Sequence, residues 1–572
     1  LIWAIADKLT GVYKPHEYGE VILPLTVIKR FDSVLADTKE AVLKKNEQVG
    51  NLPMKNVFLC KESGYNFYNT SKFDFKKLLS APDDIEANFR AYINGFSENV
   101  RNIIEKFNFD AQITRLAEKN LLYIVIQEFT TPNADLNPSK ISNLEMGYIF
   151  EEIIRRFSEA HNEDAGQHYT PREVIELMVN ILFYNDSELL TGNIAKTIYD
   201  PTCGTGGMLS VAEDYLKKMN KDAELIAFGQ EINDQTYAIC KADMLIKGEN
   251  ANNIKNGNTL SDDQFKEDKF DYILSNPPFG REWKNDKKAV EAEAKLGFAG
   301  RFGAGLPAVG DGQMLFLETA ISKMKPQGSR IAIIHNGSPL FTGDAGSGPS
   351  NIRKYILEND LLEAIVALPN DIFYNTGIAT YIWVLSNKKP EYRKGKVQLI
   401  NANELYEKRR KSLGNKRNDI PKKYIDEITK LYGEFKESEI SKIFDNEDFG
   451  YSKIVVERPK LKEDGTPELK KGKPVADTSL RDTENVPLKE DINEAISNIN
   501  NCIMESRINV LQQMESLYEK SNLIMENYAN DDIFENFDIF NEQSIMFVEN
   551  APVAVEGLSH LKFDNKHILN AI

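Results

Sequence analysis

The stretch that most limits what this chain can fold into is Thr197-Ile198-Tyr199-Asp200, a short apolar strand, followed by the glycine loop Pro201-Thr202-Cys203-Gly204-Thr205-Gly206-Gly207 and a helical run from Met208 to Met219. A second strand, Glu224 to Glu231, comes next, and strand and helix alternate through residues 140 to about 400. Ile331 to Ile334, Leu361 to Leu368 and Tyr381 to Leu385 supply later strands. That alternation predicts an α/β fold with a doubly wound parallel sheet. Gly204, Gly206 and Gly207 let backbone approach a ligand closely, and free N–H groups at the helix start favour an electron-rich group. The dinucleotide fingerprint would place a further glycine where Leu209 stands, so the loop departs from that class.

The carboxylates around the loop narrow the ligand. Asp200 at the strand end suits a cationic ligand terminus such as the amino acid part of S-adenosylmethionine, and Glu231 at the second strand tip can accept from both hydroxyls of a ribose. A lone Glu at a strand end is more often a solvated surface residue; its order after the glycine loop raises the functional reading.

A second motif, Asn276-Pro277-Pro278-Phe279, ends the apolar run Phe270 to Ser275. Taken alone it divides evenly between a strand-terminating turn and a device for handling an amino group. The exocyclic amine of adenine is a poor nucleophile because its lone pair is delocalised into the ring. The Asn276 side-chain oxygen and the Pro277 carbonyl can each accept one amine hydrogen, which favours a pyramidal nitrogen with its lone pair outward. The prolines hold the turn rigid, and Phe279 offers a face on which an everted base can stack.

With these motifs in place, residues 1 to about 490 resemble the modification (M) subunit of type I restriction-modification systems, an adenine-N6 DNA methyltransferase. The resemblance rests on Asp200 to Gly207, Asn276 to Phe279, and Gly166-Gln-His-Tyr-Thr-Pro-Arg-Glu173, and extends to Asp311 to Phe316, Leu368 to Phe373 and Lys411 to Arg417. It implies S-adenosyl-L-methionine as cofactor, with Gln167, His168, Tyr169, Thr170, Pro171 and Arg172 closing over it, Asp200, Gly204, Thr205, Gly206 and Gly207 beneath, and Glu231 on its ribose. It implies Asn276, Pro277, Pro278 and Phe279 as the catalytic set. From the residues alone, Thr170 and Pro171 read as N-cap and first-turn proline of a helix from Arg172 to Ile181. The implied partners are double-stranded DNA, a specificity (S) subunit with two M subunits to one S, and a restriction (R) subunit. The other readings are an amino-methyltransferase acting alone on RNA or protein glutamine, and a DNA-clamping scaffold that no longer transfers methyl groups. Cytosine ring methylation is disfavoured, because none of Cys60, Cys203, Cys240 and Cys502 follows a proline as that family's nucleophile does.

Four regions are expected: a helical N-terminal domain over 1–135, with amphipathic stretches Val21 to Leu35 and Ile85 to Phe107; the catalytic domain over 136–400; a basic, mostly helical extension over 401–490; and a helical tail over 491–572 that serves as a subunit-interaction element or packs on its own domain. Lys295 to Gly312 and Thr342 to Ser350 read as long mobile glycine-rich loops. No apolar run spans a bilayer and no secretory pattern opens the chain, so a cytoplasmic location is expected. Four scattered cysteines and six scattered histidines give no metal set. The net charge of -17 is unfavourable for contact with phosphates, so cationic charge must be unevenly placed, and the basic run Lys388 to Lys423 is where it gathers.

Overall fold

The computed structural model of the chain describes residues 2–50, 52–159, 170–184, 186–190, 192–374, 376–456 and, with short gaps, 459–488, together with residues 497, 560 and 561. The expectations for Gln167, His168 and Tyr169, and for a helical tail, fall outside the described residues apart from the short strand His560–Leu561. Two compact units emerge: Leu1–Pro339 with Leu361–Ile443, and Leu340–Asp360 with Phe444–Ala571.

The first unit opens with helices packed around Phe31, Phe75, Phe89, Tyr92 and Phe109. The apolar stretch expected from Val21 is the helix Tyr18–Leu35, almost wholly buried. Its Arg30 is buried too, and donates to the carbonyls of Leu136 and Ile141 and to Asn143 Oδ1, pinning the chain where it leaves the helical region. The stretch expected to run from Ile85 to Phe107 is instead broken into the helices Ile85–Asn94 and Glu98–Glu105. The break falls at Gly95, whose backbone lies so close to Ser71 that a Cβ there would come within 2.6 Å of it.

Among the described residues, one sheet of nine strands carries the rest of this unit. In chain order these are β1 (Ala195–Asp200), β2 (Glu224–Glu231), β3 (Ile254–Asn256), β4 (Tyr272–Ser275), β5 (Arg330–Asn336), β6 (Leu362–Ala367), β7 (Thr380–Ser386) and β8 (Lys396–Asn401), then a separate hairpin of β9 (Glu407–Leu413) and β10 (Lys416–Asp419), and finally β11 (Ser441–Asp445). The order across the sheet is β11-β8-β6-β7-β5-β4-β1-β2-β3. Both faces are covered, so β4, β6 and β7 are buried along their whole length and are mostly apolar, with the buried Glu363 of β6 the one charged residue among them.

The sheet is mixed rather than parallel throughout. From β3 to β5 each neighbour is parallel, but β7 runs antiparallel between β5 and β6, with Trp383 opposite both Ile333 and Ile365. Among the described residues a loop and no crossover helix joins β6 to β7, and strands paired without such a helix usually run antiparallel.

The helix Asp234–Lys247 after β2 is buried on both sides. Tyr237, Cys240 and Met244 belong to the sheet's core, whereas Ala238, Ile239, Ala242 and Leu245 belong to that of the helical region.

Beyond residue 400 the expectation of a mostly helical extension fails. The described segment holds the helix Lys422–Glu434 amid strands. Strands β9 and β10 pair with Leu413 opposite Lys416, leaving Gly414-Asn415 as a two-residue turn in which Gly414 has φ +59°. In the second unit, the strand Gly450–Val456 pairs antiparallel with Asp482–Pro487 and with His560–Leu561, beside the helix Gly348–Glu358. Among the described residues no helix is long and apolar enough to cross a membrane.

Candidate active site

The sheet reverses its order between β1 and β4, with β2 and β3 on one side and β5 on the other. A crevice opens beyond the carboxyl ends of strands at such a point. Asp200 closes β1 there, Glu231 closes β2, and Ser275 closes β4, so the glycine loop and the Asn-Pro-Pro-Phe turn leave adjacent strands at one edge.

They line one cavity of about 800 Å3. Thr170, Asp200, Gly204, Thr205, Gly207, Glu231, Asn276 and Pro278 form its wall, among others. That volume lies within the ~300–1,000 Å3 usual for small-molecule sites. Two hydrogen bonds bind the motifs into a unit. Ser275 Oγ and Thr202 Oγ1 lie 2.9 Å apart, linking β4 to the glycine loop. Asn276 Nδ2 donates to Thr170 Oγ1 at 2.9 Å, linking the turn to the upstream segment.

The second bond sets the orientation of Asn276. The Thr170 hydroxyl donates to Met208 Sδ at 3.6 Å, so its lone pairs face the amide and the amide presents its nitrogen to it. Asn276 Oδ1 is consequently left shielded from solvent and without a partner. An unpaired buried acceptor costs about 1–3 kcal/mol, and such cost is tolerated where a ligand supplies the missing donor.

Glu231, which lines the same cavity, is firmly held: its Oε2 accepts from the Gly204 N–H and its Oε1 from the Asn233 N–H, each at 2.8 Å. Each carboxylate oxygen keeps lone-pair capacity for a further donor. Asp200 is buried, with 1% of its surface exposed, and its Oδ1 accepts from the Thr202 N–H at 2.9 Å. Burial, reinforced by the charge of Glu231, outweighs that bond and pushes the Asp200 carboxyl up to about 7. Glu151, also on the wall, is likewise pushed up to about 7 by burial, against the pull of Arg172.

The glycines serve the protein as much as any ligand. Gly206 has φ +83°, and a Cβ on it would come within 2.7 Å of Cys240 Sγ. A Cβ on Gly207 would meet Glu151 Oε1 at 2.7 Å. The N–H groups of Gly204 and Gly206 are both taken up, by Glu231 and by the Cys203 carbonyl.

Other expected residues sit beside the cavity and not in its wall. Arg172 pairs with Glu151, stacks on Tyr148 and donates to the Gly207 carbonyl at 3.0 Å, so it braces the glycine loop from behind. Pro171, and not Thr170, takes the N-cap position of the helix Arg172–Leu182: its ψ of 139° is non-helical while its carbonyl accepts from the Val174 and Ile175 N–H groups, and the hydroxyl of Thr170 is turned to Asn276. Gly206, Pro277 and Phe279 are also absent from the wall; Phe279 packs edge-on against Phe373 with ring centres 6.3 Å apart.

Sequence reasoning missed Ile232, Asn258, Leu260, Trp283 and Phe316, all of which line the cavity. Ile232 is 64% exposed, an apolar side chain held at the mouth immediately after Glu231. Asn258 and Leu260 follow β3, a strand of three residues that is too short to show any apolar period. The glycine-rich segment expected to be a mobile loop is in fact fastened: Arg301 donates to the carbonyls of Thr259 and Leu260, at 2.6 and 3.0 Å, and pairs with Glu293 at 2.6 Å.

Comparison with known proteins agrees with this geometry. A family profile described as N-6 DNA Methylase matches residues 142–465, and one described as the HsdM N-terminal domain matches residues 1–129. Among curated proteins, the chain is 26% identical over 464 residues to the Type I restriction enzyme MjaIX methylase subunit of Methanocaldococcus jannaschii, covering 77% of each chain. It is 28% identical over 376 residues to the EcoEI methylase subunit of Escherichia coli, covering 62% of this chain and 68% of that one. The methyltransferase subunit of a type I restriction-modification system from Streptococcus thermophilus shares the fold at a TM-score of 0.63, with 22% identity over 78% of this chain and 95% of that one. With profiles matching both the helical region and the greater part of the sheet, as the motifs led one to expect, the chain belongs to the N-6 DNA methylase family and is an adenine-specific DNA methyltransferase.

Proposed function

We propose that this chain is the modification subunit of a type I restriction-modification assembly, and that Asn276 is the residue on which its chemistry turns. The carrying observation is the shielded, partnerless Oδ1 of Asn276, on the same cavity wall as the glycine loop and Glu231.

The donor would be S-adenosyl-L-methionine, and the residues present fit it. Asp200 offers a buried carboxylate to an ammonium, Glu231 keeps an acceptor on each oxygen for ribose hydroxyls, and Ile232 and Leu260 give an adenine ring apolar contacts. When bound, this group supplies an electrophilic methyl on a positively charged sulfur. The chain's residues prepare the acceptor. Asn276 Oδ1 takes one hydrogen of the everted adenine's amine and the Pro277 carbonyl takes the other, which localises the nitrogen lone pair and aims it into the cavity. Transfer of the methyl to that nitrogen would leave the carbon–sulfur electron pair with sulfur, and the surplus amine proton would pass to solvent. Positioning supplies most of the rate, worth up to roughly 7–11 kcal/mol for well-oriented reactants. Arg172 and Glu151 keep the glycine loop in place throughout.

In this reading the chain works in the cytoplasm on double-stranded DNA, with sequence choice delegated to an S subunit bound to two M subunits, and with an R subunit joining for cleavage. Co-expression with the S subunit and assay of a DNA duplex, an RNA and a glutamine-bearing protein tests it. N6-methyladenine formed in the duplex alone is expected; methyl transfer confined to RNA or protein would overturn it.

A further inference from the structure

The basic run Lys388 to Lys423 does not behave as one surface. Much of it is internal. Lys389 donates to the Lys396 carbonyl at 2.9 Å, and Arg393 lies buried on Tyr432 and Phe435 beside Glu363. Lys416 is 1% exposed and pairs with Glu173 and Asp419. At its ends, Lys422 pairs with Glu176 and Asp426, and Lys423 with Glu407. Arg409 is held by both oxygens of Asp419.

The β9–β10 hairpin is different. Lys408, Arg410, Lys411 and Arg417 are exposed, and none has a carboxylate partner among the described residues. Lys408 and Arg417 line a groove of about 760 Å3 together with Asn370, Asn403, Asn418 and Ser412. Within it the Oδ1 of Asn403 is shielded and partnerless. Asp371 and Glu404 also reach the groove. A site for a free phosphate would not place carboxylates there, but a strand of nucleic acid presents both phosphates and the amino edges of bases, which carboxylates and amides can accept.

The hairpin is fastened to the catalytic turn by two routes. The N–H groups of Arg417 and Asn415 donate to the carbonyls of Asp371 and Tyr374, at 2.9 and 2.8 Å, and Phe373 between them meets Phe279. Lys416 pairs with Glu173, in the first turn of the helix that begins just after Thr170. Whatever strand lies in the groove is therefore held in fixed relation to Asn276.

We propose that the β9–β10 hairpin is a cradle for the DNA strand flanking the everted adenine, with Lys408, Arg410, Lys411 and Arg417 engaging its phosphates and the asparagines facing its sugars and base edges. This rests on the DNA methyltransferase reading and adds to it a place for the strand. The remaining basic run stabilises the fold instead.

The test is equilibrium binding of a labelled mixed-sequence duplex to the full chain across a salt series, for the wild type and for a variant carrying Lys408→Gln, Arg410→Gln, Lys411→Gln and Arg417→Gln. Each phosphate contact contributes about 0.9 to the slope of log affinity against log salt, so the variant's slope should flatten by about 3.6 while donor binding and turnover at saturating DNA persist. The paired variants Lys408→Gln with Arg417→Gln and Arg410→Gln with Lys411→Gln should each flatten it by roughly half as much, and decide the matter should the fourfold variant not fold. An unchanged slope in variants that still bind donor overturns the cradle and leaves the catalytic reading intact. A wild type that never methylates adenine in duplex DNA when co-expressed with the S subunit would instead overturn the reading beneath it.

Discussion

Asn276 Nδ2 donates to Thr170 Oγ1 over 2.9 Å, and the same hydroxyl donates onward to Met208 Sδ. The chain of donors runs one way, so the amide oxygen of Asn276 is turned from its neighbours. Thr170 is thus a positioning residue. Thr170→Val keeps the shape and removes the hydroxyl; turnover should fall about tenfold to a hundredfold, below the ~10²–10³ that loss of a direct donor costs. Donor KM should hardly change, and Thr170→Ser should restore turnover. Steady-state kinetics on the three proteins decides it, and unaltered turnover in Thr170→Val would remove Thr170 from the site.

The glycine loop predicts a stability effect separable into two parts. Gly206→Ala forces a Cβ into a residue at φ +83° and against Cys240 Sγ at 2.7 Å. The combined cost should be about 2–4 kcal/mol, read from denaturant unfolding. Adding Cys240→Ala should recover the steric part and leave the roughly 1–2 kcal/mol of backbone strain. Full recovery in the double variant would show that the backbone conformation carries no cost.

The buried Asp200 predicts pH dependence. Its carboxyl is pushed from 3.8 up to about 7 in the folded protein, so between those values the folded state keeps a proton that the unfolded state has lost. Unfolding then releases that proton, and the stability of the ligand-free protein should fall as pH rises through this window, less so in Asp200→Asn. A cationic ligand end reverses the preference by favouring the carboxylate. Donor affinity should therefore rise roughly tenfold from about pH 6 to about pH 8. Glu151 titrates on the same wall, so the calorimetric series is repeated in Glu151→Gln. A flat profile there would separate Asp200 from donor binding.

Arg301 predicts a donor effect at a distance. It holds the carbonyls of Thr259 and Leu260, and Leu260 lines the cavity. Arg301→Ala should raise donor KM by about tenfold while leaving turnover at saturation nearly intact, as loss of uniform binding does. A fall in turnover with KM unchanged would place Arg301 in the chemical step instead.

The sheet was legible where burial on both faces wrote itself as apolar runs: Glu224–Glu231 is the predicted strand residue for residue, and Asp200 and Ser275 end their strands where the motifs say they should. The antiparallel β7 was not legible, since an apolar strand carries no mark of direction and only its pairing with β5 and β6 reveals it. The hairpin beyond residue 400 did leave a sign in Gly414-Asn415, which the density of lysine and arginine around it concealed. At the site, motif order brought the glycine loop and Asn276 together. The bond from Asn276 to Thr170 joins residues 106 apart, and no local pattern encodes it. Residues of the cavity wall after β3 were missed for a related reason: their role comes from the strand beside them.

The most direct measurement replaces Asn276 with alanine and follows two quantities on one preparation: S-adenosylmethionine binding by calorimetry and methyl transfer to adenine in duplex DNA. Donor affinity should stay within about twofold of wild type and transfer should fall by about 10³ or more, because the amine loses the acceptor that localises its lone pair. Undiminished transfer with Asn276→Ala would contradict it.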